Sequence, residues 1–91
     1  MTTQTHPDTF ADELLVFLVD EVALEDDPID LDTDLLLTGL VDSLGVVIVS
    51  EWMQERLGIR IDAVDIVLEH FQTPRNMVDY ATARGALSGD G

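Results

Sequence analysis

The residue best placed to carry chemistry in this sequence is Ser43, which follows Asp42 directly and precedes the apolar Leu44. A serine in this position has three possible roles: it caps the start of a helix, it acts as a catalytic nucleophile, or another enzyme modifies it covalently. For an isolated Asp-Ser pair the first role is the ordinary one. The third role requires an accessible hydroxyl with recognition residues beside it.

Catalysis by Ser43 is the weakest of these alternatives. A nucleophile elbow has the pattern Gly-x-Ser-x-Gly after a strand, together with a histidine and an acid that activate the serine. Here Val41 takes the place of the first glycine, and no strand is predicted before it. The two histidines are His6, in the N-terminal tail, and His70, which is most simply the boundary residue of a short helix. We therefore do not expect an enzyme, and a serine hydrolase is the most distant alternative.

An acidic repeat before Ser43 has the spacing of the start of a calcium-binding loop. Asp30-x-Asp32-x-Asp34 matches the first three ligands, but such a loop also needs glycine at its sixth position and glutamate at its twelfth. Leu35 and Val41 occupy those two positions. The sequence therefore predicts no specific metal site, and at most a weak association of divalent cations with the acidic loop.

The net charge narrows the choice of partners. The 91 residues include 19 acidic and 4 basic side chains, for a formal charge of −15, and residues 1–42 hold 12 of the acids with no lysine or arginine. Phosphate backbones and anionic lipids repel such a chain, so we expect no binding to nucleic acid or to membranes. Charged partners should be basic. The absence of cysteine excludes a disulfide scaffold, a thiolate zinc site and a cysteine nucleophile.

The length and composition suit one small packed domain. Hydrophobic residues make up 46% of the chain, which is too many for a disordered acidic segment. We assign residues 8–84 to the domain, and residues 1–7 and 85–91 to flexible tails because both ends are aperiodic and polar or small. No stretch has the roughly 18 to 20 apolar residues of a membrane span, and the first residues do not form a signal peptide. We expect a cytoplasmic monomer.

Hydrophobic periodicity and capping residues predict an all-α fold with three long helices and one short helix. The first helix spans about residues 10–24, with Asp8 or Thr9 as its N-cap. A long loop follows, and its many leucines must pin it to the core. The last helix begins with Thr73 as N-cap and Pro74 at the first helical position. We expect a small four-helix bundle with the long loop between helices 1 and 2.

The central helix of this bundle begins with Ser43 as its N-cap and ends at Leu57, before Gly58. At 100° per residue it carries two apolar stripes. The core-facing stripe consists of Val46, Val49, Met53 and Leu57. The other stripe lies on the polar side and consists of Leu44, Val47 and Ile48, beside Glu51 and Glu55. A short, imperfect helix within residues 62–71 completes the set.

The stripe on the polar side has two interpretations. Apolar side chains among carboxylates at the start of a helix are typical of a surface that docks a partner. Alternatively, Leu36 or Leu40 of the long loop folds over the stripe. Val47 is then the residue that the loop covers most readily.

The segment Thr38-Gly39-Leu40-Val41-Asp42-Ser43-Leu44-Gly45 resembles the carrier proteins of the acyl and peptidyl carrier superfamily. The resemblance continues through Glu55-Arg56-Leu57-Gly58-Ile59 to Thr73-Pro74, and it covers about residues 10–84. Asp-Ser-Leu alone occurs by chance, but these elements at family-like spacing in a chain of this size are a strong signal. The resemblance implies that a phosphopantetheinyl transferase attaches 4′-phosphopantetheine from coenzyme A to Ser43.

The resemblance also implies a function without catalysis. A carrier holds its cargo as a thioester on the flexible arm, and tethering gives the cargo a high effective concentration at each partner enzyme. Acidic residues then steer the carrier toward basic partners. The surface that partners recognise would consist of Asp42, Leu44, Val47, Ile48, Glu51 and Glu55.

The sequence departs from the pattern of carriers of fatty-acid synthesis, and these differences favour another branch of the family. Carriers of fatty-acid synthesis commonly have acids two and five residues after the serine, where this chain has Gly45 and Ile48. The elements Asp-Ser-Leu-Gly, Glu-Arg-Leu-Gly-Ile and Phe-Gln-Thr-Pro look closer to discrete D-alanyl carrier proteins and stand-alone carriers of natural-product pathways. A separate adenylate-forming ligase typically loads members of those groups.

We therefore expect a free-standing acyl or aminoacyl carrier of natural-product biosynthesis, which passes its cargo from a ligase to downstream acyl- or aminoacyl-processing enzymes. The alternative is a small acidic helical adaptor that binds a partner through Leu44, Val47 and Ile48. In that case Ser43 is only a helix N-cap.

Overall fold

The computed structural model describes residues 5–24 and 28–87, which form four α-helices and no β-strand. The helices are α1 (Pro7–Phe17), α2 (Ser43–Leu57), α3 (Leu68–Phe71) and α4 (Pro74–Ala83). A π-helical turn (Leu18–Val22) continues α1, and a 3-10 turn (Ala63–Asp65) precedes α3. The predicted all-α fold with three long helices and one short helix is confirmed. Parts of both predicted tails and of the acidic loop lie outside the described residues.

One hydrophobic core joins the helices and the long loop. Every helix contributes side chains to this core. The residues at the centre of the core are Phe10, Leu14, Leu18, Leu35, Val41, Val49, Met53, Phe71, Met77 and Ala81. Burial of one large apolar side chain stabilises the fold by about 1.5–3 kcal/mol. The core-facing stripe predicted for α2 is confirmed, because Val46, Val49 and Met53 are buried and Leu57 packs against them. Among the described residues, no helix is long and apolar enough to cross a membrane.

Helix α1 begins earlier than the sequence predicts. Its N-cap is His6, not Asp8 or Thr9, and the His6 Nδ1 atom accepts a hydrogen bond from the Asp8 backbone N–H at 3.1 Å. Pro7 then takes the first helical position, where the missing N–H of proline is not needed.

The π-helical turn brings Val22 against the first turn of α2. A Cβ atom on Gly45 would lie 2.9 Å from Cγ1 of Val22 and 2.8 Å from Cγ1 of Val41. Carbon atoms pack best at about 3.5–4.0 Å, so a side chain at this position would force its neighbours to move. Glycine at position 45 therefore allows the turn, the loop and α2 to approach one another.

Backbone hydrogen bonds pin the long loop to the start of α4. The Leu35 N–H donates to the Gln72 carbonyl at 2.8 Å, and the Arg75 N–H donates to the Leu31 carbonyl at 2.9 Å. Leu35 itself is fully buried. The loop is therefore attached to the core, as its leucine content predicts.

Carboxylates of the loop reinforce this attachment. Asp32 forms a two-point ion pair with the Arg75 guanidinium at 2.8 and 3.2 Å, and this contact lowers the pKa of Asp32. Asp34 accepts hydrogen bonds from the Leu37 N–H and from the Gln72 amide, and both contacts lower its pKa. Two acids of the calcium-like repeat therefore hold the loop in place.

The chain after α4 folds back onto the core. Gly85 has a left-handed φ of 73°, its N–H donates to the Thr82 carbonyl, and the Ala86 N–H donates to the Ala81 carbonyl. This is the Schellman pattern of a helix end. Ala86 and Leu87 are buried, although the sequence interpretation places them in the flexible C-terminal tail. The packed region therefore extends beyond residue 84.

Candidate functional site

Ser43 is the first residue of α2, and its side chain is exposed. The N-cap is Asp42, which has an extended backbone and accepts a hydrogen bond on Oδ1 from the Gly45 N–H at 2.9 Å. The prediction that Ser43 caps the helix is therefore wrong. Aspartate and serine cap about equally well, and here the cap lies one residue earlier. The Ser43 hydroxyl takes no part in the cap.

Backbone hydrogen bonds attach the segment before Ser43 to the chain just after the π-helical turn and to the preceding part of the loop. The Leu24 N–H donates to the Leu40 carbonyl at 2.9 Å, and the Val41 N–H donates to the Leu35 carbonyl at 3.0 Å. Leu40 and Val41 are also buried. These contacts fix the direction in which the loop enters α2, so the exposed serine stands at a defined point of the surface.

An open groove of about 450 Å³ lies beside Ser43, between α2, the loop and α3. We call it the serine groove, and its apolar walls include Leu36, Val47, Ile66, Val67, Leu68 and Phe71. Sequence reasoning missed its α3 wall. The available signal was the apolar run from Ile66 to Leu68 in a segment too short to bury all of it, and Val67 and Leu68 are indeed exposed.

The stripe on the polar side of α2 faces solvent, and we call it the docking face. Leu44 is 65% exposed, Val47 44% and Ile48 36%, and Glu51 and Glu55 beside them are also exposed. The predicted exposure of the three apolar side chains is confirmed. Ile48, rather than Val47, is the most covered of the three.

The long loop does not fold over the docking face in the way the alternative requires. Leu40 is buried, and Leu36 lines the serine groove together with Val47, which is still 44% exposed. Leu44 and Ile48 therefore remain open to a partner.

The histidines lie away from Ser43. His6 caps α1, and the ring of His70 packs against the Tyr80 ring in a tilted arrangement, with 4.6 Å between ring centroids. The Tyr80 hydroxyl donates to Asp65 at 2.9 Å and accepts from Arg84 at 2.7 Å. Burial, and then the contact with Asp65, raises the pKa of Tyr80. The side chains lining the serine groove include neither histidine, and the triad geometry of a serine hydrolase is not formed there.

Three of the four arginines contact side chains of the protein itself. Arg56 forms a two-point ion pair with Glu13, Arg75 pairs with Asp32, and Arg84 contacts the Tyr80 hydroxyl. The acids of the docking face have no such contact with an arginine of the described residues. The surface around Ser43 therefore presents net negative charge to a partner.

A comparison with protein families relates this site to known proteins. The family model described as phosphopantetheine attachment site matches residues 12–81, which contain Ser43, all of α2 and α3, and parts of α1 and α4. A comparison with curated proteins gives no significant match. Since the family match spans more than three quarters of the 91 residues, the chain belongs to the phosphopantetheine-attachment family of the acyl carrier protein superfamily, whose members carry covalently attached 4′-phosphopantetheine.

Proposed function

We propose that this protein is a non-catalytic carrier that holds an acyl or aminoacyl cargo as a thioester on a 4′-phosphopantetheine arm attached to Ser43. The observation that carries the proposal is that Ser43, at the start of α2, is exposed and does not cap the helix. Its side chain is exposed, and the neighbouring Asp42 has taken over the cap. The hydroxyl is therefore available to a modifying enzyme without loss of the helix start.

The surroundings of Ser43 fit the group. A phosphodiester needs an accessible hydroxyl, and the open serine groove beside it offers apolar walls along which an attached chain has space. When attached, the group supplies a terminal thiol for thioester formation. In the attachment step the Ser43 oxygen forms a bond to phosphorus, the pyrophosphate bond of coenzyme A breaks, the nucleotide part leaves, and the serine proton passes to the transferase.

The docking face supplies the recognition that a carrier needs. Leu44, Val47 and Ile48 give a partner an apolar contact, while Asp42, Glu51 and Glu55 favour a basic rim on that partner. Charge complementarity of this kind raises association rates more than affinity. It suits brief encounters with a phosphopantetheinyl transferase, an adenylate-forming ligase and downstream acyl- or aminoacyl-processing enzymes.

The same face supports a role in natural-product biosynthesis. Gly45 and Ile48 stand where carriers of fatty-acid synthesis commonly have acids, and the structure shows Ile48 exposed and Gly45 packed against Val22 and Val41. The partner surface is therefore more apolar than the fatty-acid pattern. This supports loading by a dedicated ligase and transfer within a specialised pathway.

Intact-mass measurement tests the attachment site. The protein is incubated with coenzyme A and a promiscuous phosphopantetheinyl transferase, and we expect one phosphopantetheine group per chain. Ser43→Ala should take up none. Ser50→Ala is the matched control, because Ser50 lies on the same helix but is buried, and it should be modified fully. An unmodified parent protein, or an adduct that persists in Ser43→Ala, would contradict the proposal.

Transferase kinetics test the docking face. Ile48→Glu places a charge in the apolar contact and should lower kcat/KM for modification by about tenfold, which corresponds to about 1.4 kcal/mol of transition-state stabilisation. Val64→Glu is the control, since Val64 is 80% exposed and lies on the 3-10 turn. It should change kcat/KM by less than about twofold. If Ile48→Glu lowers stability as much as it lowers kcat/KM, the residue serves the core and not a partner.

A further inference from the structure

A second open groove lies between α1 with its π-helical turn and α2. It has a volume of about 540 Å³, and we call it the tryptophan groove. Its floor consists of Val16, Phe17 and Trp52, and its rim includes Asp12, Asp20 and Glu21. On α2 this groove is lined by Trp52 and by Arg56, whose charge is paired with Glu13. Trp52 lies about half a turn around the helix from Ser43. The tryptophan groove and the serine groove therefore open on different flanks of α2.

The floor is apolar and already ordered. The Trp52 ring stacks on Phe17 with 4.7 Å between centroids and an interplanar angle of 11°, and it stacks on Phe10 at 5.6 Å. Val16 next to them is 60% exposed. Covering this surface releases water from apolar groups without reordering the rings, and both effects favour binding.

The rim carries negative charge that the protein does not neutralise. Asp12, Asp20 and Glu21 are exposed, and within the described ranges none of them forms an ion pair. Glu13 differs, because its hydrogen bonds to Arg56 satisfy it and lower its pKa. Three open carboxylates around an apolar floor are complementary to cationic side chains that flank an apolar one.

We propose that the tryptophan groove binds a basic, apolar segment of a partner protein. An aliphatic or aromatic side chain of that segment covers Val16, Phe17 and Trp52, and its lysine or arginine side chains lie next to the rim carboxylates. The groove is open along the helix pair, which suits a chain segment better than an enclosed small molecule. Trp52 is nine residues from Ser43, about 14 Å along α2, so a partner bound here leaves Ser43 accessible to another enzyme.

The fluorescence of Trp52 provides a direct assay, because it is the only tryptophan in the chain. The probe is a synthetic peptide in which arginines flank leucines, and the control peptide has the same charge with serine in place of leucine. We expect a saturable change of Trp52 emission with the leucine peptide and a Kd at least tenfold higher with the serine peptide. All titrations use Ser43→Ala as the parent, so the outcome does not depend on the carrier function.

Two matched sets of substitutions locate the binding site. Asp12→Asn/Asp20→Asn/Glu21→Gln should raise the Kd of the leucine peptide at least tenfold, and so should Val16→Ser alone. The control Asp62→Asn/Glu69→Gln/Asp79→Asn removes the same number of exposed charges elsewhere and should change Kd less than threefold. Circular dichroism verifies that each variant is folded.

Three outcomes would overturn the proposal. Equal effects of the two charge sets would mean general electrostatic attraction to an acidic protein. A Trp52 response to phosphatidylcholine vesicles without a response to the peptide would mean a lipid occupant. A spectrum that changes with protein concentration alone would mean that a second copy of the chain covers the groove.

Discussion

Replacing Gly45 with alanine tests how closely α2 approaches the π-helical turn. The added Cβ would lie 2.8 Å from Cγ1 of Val41 and 2.9 Å from Cγ1 of Val22. Both valines are buried, and β-branched side chains have few rotamers into which they can move. The first turn of α2 must therefore shift away from its neighbours.

The magnitude follows from two opposing effects. Overpacking of a core by one carbon costs about 1–3 kcal/mol, and two simultaneous contacts place this site in the upper part of that range. Alanine in place of glycine within a helix returns up to about 1 kcal/mol. We expect Gly45→Ala to lower the free energy of unfolding by about 1–2 kcal/mol. For a domain of this size, each kcal/mol corresponds to a fall in Tm of about 4–8 °C.

Urea unfolding followed by circular dichroism measures this loss, and a second substitution identifies its cause. Val22→Ala removes one of the two methyl groups that Gly45→Ala would meet, so the double variant should lose about 1 kcal/mol less than the sum of the single losses. Val19→Ala is the control, because Val19 lies on the same turn but is exposed, and it should show additivity. Unchanged stability of Gly45→Ala, or additivity with Val22→Ala, would refute the close-packing argument.

Three further predictions concern the cap and two titrating groups. Asp42→Ala should lower the free energy of unfolding by about 0.5–2 kcal/mol and Ser43→Ala by less than about 0.5, as measured by urea unfolding. Equal losses would contradict the assignment of the cap to Asp42, and a larger loss in Ser43→Ala would assign it to Ser43. The pKa of Tyr80 is raised above its ordinary value of 10.0, so its contribution to stability should be full below that pH and lost as the pH rises through the folded-state pKa. Ultraviolet absorbance follows this ionisation because Tyr80 is the only tyrosine, and a folded-state midpoint at or below the ordinary value would contradict the prediction. Arg56 lowers the pKa of Glu13 below 4.5, so the stability that this pair contributes should be lost as the pH falls through the folded-state pKa. Since both side chains are about one third exposed, Glu13→Gln should cost less than about 1 kcal/mol, and a loss that 1 M salt leaves unchanged would argue against an ion pair.

Local signals predicted the helix ends that depend on a residue's own backbone preference. Thr73 accepts a hydrogen bond from the Asn76 N–H, Pro74 follows it, and Gly58 ends α2 with a left-handed φ of 67°. Threonine caps through its own side chain, proline has a fixed φ, and glycine adopts a left-handed φ without steric cost, so these signals depend little on tertiary contacts. The sequence therefore predicted the limits of α2 to within one residue and the start of α4.

The cap of α2 could not be predicted in this way. Asp42 and Ser43 are adjacent and both cap well, so the choice depends on where the backbone turns. Buried Val41 and its hydrogen bond to Leu35 determine that point, and both are tertiary contacts. For α1, by contrast, Pro7 was an available signal of the first helical position, and histidine as its cap is the uncommon feature.

In the candidate site, too, some features could be predicted from local sequence signals and others depend on tertiary packing. The exposure of Leu44, Val47 and Ile48 follows from helical periodicity, because one face of α2 must meet the core. The serine groove forms only when the loop, α2 and α3 pack together. The π-helical turn contains one more residue than an α-helical turn, and the hydrophobic periodicity of the sequence does not predict it. Both features depend on packing between segments that are distant in sequence.

The Schellman turn at Gly85 determines where another domain or a label can be joined to this one. A chain cut after Arg84 would lose Ala86 and Leu87 from the core and leave the last turn of α4 without its closing hydrogen bonds. A fusion made directly at Gly85 would replace Ala86 and Leu87 and so remove the same contacts. A linker that begins after Leu87 leaves them intact, so excision or fusion of this domain should keep every residue through Leu87.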